Sequence, residues 1–241
     1  MPWLPRAPKT TRGRLAAIGG AVVALVVAAA ALIYFVIFPT SSPKPFALAS
    51  TTSAKPVGSV SVLAGSWTIA SGSQAGYRVR EKLAFLPALS DAVGRTSAIT
   101  GSATLADSSG TLSVTAASFV IDVETLKSNE QLRDQHIRTI GLQSATYPKA
   151  GFVLSTPLKL PASALSGGVV AVAVTGVVTI HGTARRLTIP LQMRVSTSRI
   201  QAVGSITFPW GEFNMTAPSV GGFVSVTAVA TMEFDLHLKR A

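Results

Sequence analysis

The run GFVSVTAVATMEFDLHLK, residues 222–239, decides the fold. Its even positions carry Val224, Val226, Ala228, Ala230, Met232, Phe234, Leu236 and Leu238. Its odd positions carry Ser225, Thr227, Thr231, Glu233, Asp235, His237 and Lys239, with Val229 the apolar exception. Successive side chains of a strand point to opposite faces, so this period of two marks a strand with one face buried. Sixteen residues at ~3.3 Å each would reach about 50 Å, far beyond an ordinary strand. The run must therefore curve, as a barrel wall does, or break at a bulge.

Working outward, residues 186–196 repeat the pattern. Leu187, Ile189, Leu191, Met193 and Val195 share one face, and Arg186, Thr188, Gln192, Arg194 and Ser196 the other. Pro190 lacks an N–H and belongs at an edge or a bulge. Residues 169–180, VVAVAVTGVVTI, are apolar on both faces and run into the turn HGTAR. Further strands are predicted at 75–82, 97–105, 111–123, 150–156 and 200–208. Many strands joined by short turns, with no alternating helical pattern, indicate an all-β sandwich or closed barrel and exclude a parallel α/β sheet.

One stretch breaks the pattern: NEQLRDQHIRTIGLQSATYPKAGF, residues 129–152. Ser128 followed three residues later by Gln131 reads as a capping box, and Glu130 sits where the helix dipole favours negative charge. Leu132, His136, Ile137 and Ile140 have helical spacing, and Pro148 stops the helix. Arg133, Asp134 and His136 are the only concentration of chemically useful groups in a charge-poor chain. A general-base pair of Asp134 and His136 is the enzymatic reading. Side chains two apart on a helix do not face each other, so the reading preferred here is structural.

Charged residues are only 13% of the 241, about half the usual ~25%, and hydrophobic residues 48%. An apolar segment and an apolar interior both dilute charge in this way. Residues 15–38, LAAIGGAVVALVVAAAALIYFVIF, hold no charge and no Pro. As a helix, 24 residues span about 36 Å, enough to cross a ~30 Å hydrocarbon core. The run is read as an uncleaved transmembrane signal-anchor. Arg6, Lys9, Arg12 and Arg14 precede it, which puts residues 1–14 in the cytoplasm and the remainder outside. Residues 39–65, rich in Pro, Ser and Thr, read as a linker, with Val60–Leu63 able to dock on the domain 66–241.

The net charge of +11 falls to +5 from Ser66 onward, where 15 basic residues meet all 10 acidic ones. No basic stripe interleaved with aromatics marks a nucleic-acid partner. The chain has no cysteine, which removes disulfides, thiolate metal sites and a Cys nucleophile. No Gly-x-Ser-x-Gly elbow, His-Glu-x-x-His or phosphate loop occurs. His136, His181 and His237 are far apart in sequence. No catalytic residue, metal or cofactor is assigned.

The segments SWTIASGSQAGYRVREKL, VGRTSAITGSATL, NEQLRDQHIRTIGLQSATYPKAGF, TGVVTIHGTARRLTIPLQM and GSITFPWGEFNMTAPSV follow one another as in the YceI-like family, which the chain resembles over about 66–238. The forms Tyr-Arg-Val and Val-Gly-Arg-Thr resemble its membrane-anchored actinobacterial branch. The resemblance implies an eight-stranded antiparallel, lipocalin-like barrel around an apolar cavity that holds a polyisoprenoid or other long-chain lipid. Ala70 stands where the family usually has Asp, and Gln74 lies where a His is expected nearby, which leaves the ligand's identity open. Arg133, Asp134, His136, Tyr147, Pro148, His181 and Gly182 carry the family motifs and are read as structural. Candidate cavity residues are Leu187, Ile189, Leu191, Met193, Val226, Ala228, Ala230, Met232 and Phe234, with Phe85, Phe119, Phe152 and Phe208 closing the ends.

Overall fold

The structure is a computed structural model that describes residues 24–27, 42–48, 55–84, 89–222 and 224–241. The chain divides into two compact units, Met1–Ser41 and Ser42–Ala241. In the first, residues 24–27 are helical. Most of the expected span 15–38 lies outside the described residues, and among these no helix is long and apolar enough to cross a membrane.

The second unit is all-β. Its strands are β1 (Gly65–Ile69), β2 (Gln74–Leu83), β3 (Ser90–Thr96), β4 (Ile99–Ser108), β5 (Thr111–Asp122), β6 (Lys149–Leu154), β7 (Leu158–Lys159), β8 (Val169–Ile180), β9 (Thr183–Val195), β10 (Ile200–Pro209), β11 (Ser219–Val220), β12 (Val224–Val226) and β13 (Val229–Arg240). They combine into eight antiparallel staves: β1 with β2, β3 with β4, β5, β6 with β7, β8, β9, β10, and β12 with β13. Each stave pairs with the next in chain order. The last closes on the first through Trp67↔Arg240 and Tyr77↔Met232. Closure removes the exposed edges that a sandwich would leave.

Two interrupted staves, one hairpin and one ladder end each have a local cause. Between β1 and β2 the Ser73 hydroxyl accepts from the His237 amide at 2.9 Å and donates to the Ala70 carbonyl at 2.9 Å, replacing ladder bonds. The 222–239 run breaks at Thr227–Ala228, where the Thr227 amide donates to the Arg80 carbonyl and its own carbonyl accepts from the Trp210 indole. Ala228, expected on the inner face, is therefore exposed. β8 and β9 are joined by a two-residue turn in which His181 and Gly182 both have positive φ, 51° and 68°, the geometry that matches the twist of a tight hairpin. The β9–β10 ladder runs from Val195↔Ile200 to Leu191↔Gly204 and ends there, one residue short of Pro190, which has no N–H to give.

One end of the barrel is closed by the linker itself. A 3-10 turn at Val60–Val62 buries Val57, Val60 and Leu63 against Trp67, whose indole donates to the Leu63 carbonyl at 2.9 Å. The docking expected for Val60–Leu63 thus extends back to Val57, and the barrel starts at Gly65. The opposite end is covered by the helix Gln131–Thr139 and the turn Trp210–Phe213. The helix begins differently from expectation: Glu130 is its N-cap, in extended conformation, and no side chain caps it. Ser128 is spent on Glu130, and its amide is taken by the Asp134 carboxylate at 2.9 Å. Of the residues with helical spacing, Leu132 and Ile140 are 69% and 48% exposed, and Ile137 alone of the apolar ones is partly buried.

Candidate functional site

The inward faces of the staves enclose an apolar interior in two compartments. The larger, about 110 Å³, lies amid Phe119, Phe152, Leu191, Met193 and Phe234; the smaller, about 80 Å³, lies beneath the helix amid Tyr77, Ile137, Leu142, Phe208 and Trp210. Ala75, Ile121 and Met232 line both, so the compartments adjoin. A cavity of ~150 Å³ lined by such side chains takes a benzene-sized guest. Each compartment alone is smaller, and the two together are somewhat larger.

The interior stays open because aromatic rings lie flat on glycines. Tyr77 sits opposite Gly94, Phe119 opposite Gly101 and Phe234 opposite Gly204, each as a cross-strand pair. Phe152 lies diagonally over Gly176. A Cβ on Gly94, Gly101, Gly176 or Gly204 would come within 2.3, 2.8, 2.3 and 2.6 Å of these rings. Laid against the wall, a ring leaves the barrel axis free.

Among the predicted cavity residues, Phe119, Phe152, Ile189, Leu191, Met193, Phe208, Ala230, Met232 and Phe234 line one compartment or both. Leu187 and Val226 are partly buried and pack on the core around the smaller compartment without lining it. Ala228 belongs to neither, for the reason given above, and Phe85 lies outside the described residues. Missed were Tyr77, Ile121 and the glycines opposite the rings. Inward positions pairing an aromatic with a glycine on the next strand were the available signal, but the pairing register is needed to see it.

A polar cluster adjoins the smaller compartment through Tyr77, the one member that lines it. Tyr77 and Glu81 both face inward from β2, and Arg133 reaches in from the helix, its Nη2 donating to Glu81 Oε2 at 2.8 Å and its Nη1 to Asn129 Oδ1 at 2.8 Å. Tyr77 Oη and Arg133 Nε are buried without a hydrogen-bond partner among the described residues. Ser128 lies close to the phenol, but its hydroxyl is engaged by Glu130 and Arg133, and no bond of ordinary geometry joins it to Tyr77. Burial pushes the phenol's pKa up; Arg133 opposes this, and Asp134 and Glu81 add to it.

The other motif residues do not converge on this cluster. Tyr147 stacks on His181 with centroids 4.1 Å apart and packs against Gly182, while His181 Nε2 meets Gln143 Oε1 at 2.7 Å. Pro148 offers its carbonyl to the Val123 amide. The Tyr147 and Gln143 contacts pin the 143–148 loop to the β8–β9 hairpin, and Pro148 ties it to the turn after β5. Asp134 and His136 are not brought together: Asp134 turns back to Ser128, and the His136 carbonyl receives the Ile140 amide at the end of the helix. Among the described residues no three His, Asp or Glu side chains form a metal-binding group.

A second cluster lies on the outer wall. Glu233 of β13, Gly76 of β2 and Arg95 of β3 occupy one cross-strand row. With no side chain at Gly76, Arg95 reaches across it to Glu233 at 2.7 Å, and Arg78 meets the same carboxylate at 3.2 Å. Residues 42–48 strap this row: Arg78 donates to the Pro43 carbonyl at 2.7 Å, Arg95 donates to the Lys44 carbonyl at 2.5 Å, and Arg95 lies 3.8 Å over the Phe46 ring. Glu233, expected in solvent from its odd position, is 2% exposed.

Known proteins share this architecture. A family model described as the YceI-like domain matches residues 67–238. A polyisoprenoid binding domain from Saccharophagus degradans, implicated in plant cell wall breakdown, superimposes with a TM-score of 0.53 at 16% identity, covering 74% of this chain and 99% of that one. BcnA of Burkholderia cenocepacia aligns at a TM-score of 0.49 and 20% identity, over 68% and 95% of the two chains. The YCEI protein of Campylobacter jejuni aligns at 0.46 and 12%, over 68% and 85%. No curated protein matches the chain.

Proposed function

This chain belongs to the YceI-like family, and from that premise we propose that its barrel binds a polyisoprenoid or other long-chain apolar lipid, for carriage, storage or sensing. The observation that carries the reading is the pair of adjoining apolar compartments held open by rings lying on glycines. A lipid chain gains about 0.8 kcal/mol for each CH₂ it moves from water into the space. Compartments of about 80 and 110 Å³ together offer room for one ring-sized guest. A longer chain joins them by displacing Met232, which lines both. The family's binding-domain character, and the printed ligand class of the Saccharophagus degradans relative, support the same class of ligand here.

In this reading residues 15–38 hold the barrel at a membrane, with 1–14 in the cytoplasm and 66–241 on the far side. The uncharged run and the basic residues before it support that placement. Digestion of the domain by protease added to intact spheroplasts is expected; full protection would reverse the orientation. For the ligand, organic extraction of the purified chain followed by mass spectrometry is expected to yield a long-chain lipid. Protein that is repeatedly lipid-free and takes up neither a fluorescent prenyl probe nor a fluorescent fatty acid would sink the reading.

A further inference from the structure

We propose that the outer wall formed by β6 and β8 is a membrane-docking face, which holds the barrel by its side against an anionic bilayer surface. The proposal rests on the reading of residues 15–38 as a membrane anchor and goes beyond it by naming the wall that meets the lipid.

The first observation is the outward face of β8. An antiparallel strand with one face in water ordinarily turns polar side chains outward. β2 and β13 do so, with Arg78, Arg80 and Lys82 on one and Asp235 and Lys239 on the other. β8 turns out Val169, Ala171, Ala173, Thr175, Val177 and Thr179, with no charge along its length. Val153 of β6 pairs with Val177 and is 54% exposed, and Val120 of β5, 41% exposed, lies diagonally beyond it. On the other side Ala173 pairs with the exposed Pro190 of β9. Single exposed apolar residues are ordinary, but a contiguous apolar face marks a place where something sits.

The second observation is charge, which says what sits there. Residues 149–209, which build β6 to β10, hold six Lys and Arg and no Asp or Glu; the rest of the domain from Ser66 holds nine against ten. Lys149 is matched by Asp122 of β5, and Lys159, Arg185, Arg186 and Arg199 are exposed. Arg186 and Arg194 stand beside Val177 and Val169 in the β8–β9 ladder, so basic groups flank the apolar face toward both ends. Anionic lipid suits such a face: its headgroups meet the Arg and Lys side chains while the small apolar ones enter the headgroup boundary. A second copy does not, because it would set one basic wall against another.

The third observation is the length of chain before the barrel. The Ser42 hydroxyl donates to the Asp91 carbonyl of β3, and Arg78 donates to the Pro43 carbonyl. The apolar run ends at Phe38, so three residues separate it from the strap. The four steps from Phe38 to Ser42 reach at most about 14 Å. β6 is two staves on from β3, about 10 Å around the wall at ~4.8 Å each, which lies inside that reach. In the anchored reading the barrel is therefore a short-leashed body beside the bilayer, and its apolar basic wall is the side that gains by turning toward it.

The chain has no cysteine, so single substitutions report position. Full-length chains carrying Ala173→Cys, Val153→Cys or, on β1 four staves away from β8, Ser66→Cys are labelled with bimane and placed in vesicles of phosphatidylcholine with about a quarter phosphatidylglycerol. A nitroxide on the lipid headgroup is expected to quench the Ala173 and Val153 positions at least about three-fold more than the Ser66 position, and the difference should shrink in pure phosphatidylcholine and when Arg185→Gln and Arg186→Gln are combined. Equal quenching at Ala173 and Ser66, in vesicles that keep the chain through an alkaline carbonate wash, overturns the docking face and leaves the anchor standing. A difference as large in pure phosphatidylcholine overturns the preference for anionic lipid. Near-complete disulfide formation between unlabelled Ala173→Cys chains gives the wall to a second copy and overturns the proposal. Loss of the chain from the vesicles in the wash overturns the anchor reading, and the proposal with it.

Discussion

Gly176→Ala tests whether the interior depends on its ring-on-glycine pairs. A methyl at Gly176 would lie 2.3 Å from Phe152 Cε2, 2.5 Å from its Cζ and 2.6 Å from the Val153 carbonyl oxygen. The ring must withdraw by about 1.1 Å to reach the 3.4 Å of ordinary contact. The carbonyl belongs to the β6–β8 pairing at Val153↔Val177 and has little freedom to follow. Forcing a methyl into a packed wall costs about 1–3 kcal/mol, and the backbone contact places this site toward the upper end. For a domain of this size 1 kcal/mol moves Tm by about 2–4 °C, so a fall of roughly 5–10 °C is expected in a thermal melt. The displaced ring enters the larger compartment, so uptake of a fluorescent prenyl probe should fall in the same variant. Gly176→Ala combined with Phe152→Leu removes the clashing ring and should recover only the ring's share of the lost Tm, the Val153 carbonyl contact remaining. Gly211→Ala, where nothing stands within 4 Å, is the neutral control. A Gly176→Ala melt within about 2 °C of the parent, with unchanged uptake, would refute the reasoning.

Three further outcomes follow from named contacts. Glu233→Gln leaves Arg78 and Arg95 without their shared carboxylate; both retain some solvent and Arg78 keeps Asp91, so the loss should be about 2–3 kcal/mol, below the 3–5 of a fully buried pair, read by urea melts. Lys149 donates to Asp122 at 2.6 Å and holds its carboxyl below the usual range, so this pair's contribution is present above the unfolded pKa near 4 and fades as pH falls through the folded one; Lys149→Ala should raise the Asp122 midpoint in an NMR titration. Burial raises the Tyr77 phenol, so the folded state favours its proton: that contribution is intact below about pH 10 and is lost as pH climbs through the folded pKa, and an ultraviolet titration of the folded chain should leave Tyr77 un-ionised at about pH 11, with Tyr77→Phe removing the late-titrating phenol.

The barrel was legible wherever bulk alternates. All eight predicted runs correspond to strands, because Val, Leu, Ile and Phe at every second position report which face is buried. β3 was missed: its inward residues are Ala92, Gly94 and Thr96, too small to register as a hydrophobic face. They are small because Tyr77 from the neighbouring strand lies over them, so the bulk that fills this wall is written ten and more residues earlier in the chain. Glu233 was misplaced for a related reason. Alternation distinguishes one face from the other but not what covers the outer face, and here residues 42–48 cover it. The opposite signs of Arg78, Arg95 and Glu233 were visible in the sequence. That they share a wall depends on the β2–β3 and β2–β13 registers, which no local pattern supplies.

The Arg133–Asp134–His136 motif shows the converse, a cluster in sequence that the fold takes apart. Neighbours on a helix point about 100° apart, so the turn sends Arg133 and Asp134 to different destinations. Asp134 goes back to the Ser128 amide and fixes the entry to the helix, where its negative charge also suits the N-terminus. His136 ends the helix through its backbone carbonyl. Arg133 alone enters the barrel, and it does so because Glu81 waits there, on a β2 position that alternation makes inward-facing. A buried carboxylate on a barrel's inner face is costly unless a cation reaches it. The helix supplies that cation, and in doing so it lays its Ile137 over the smaller compartment. The chemistry first suggested by proximity in sequence thus becomes, in three dimensions, an ion pair that seats a helical cover.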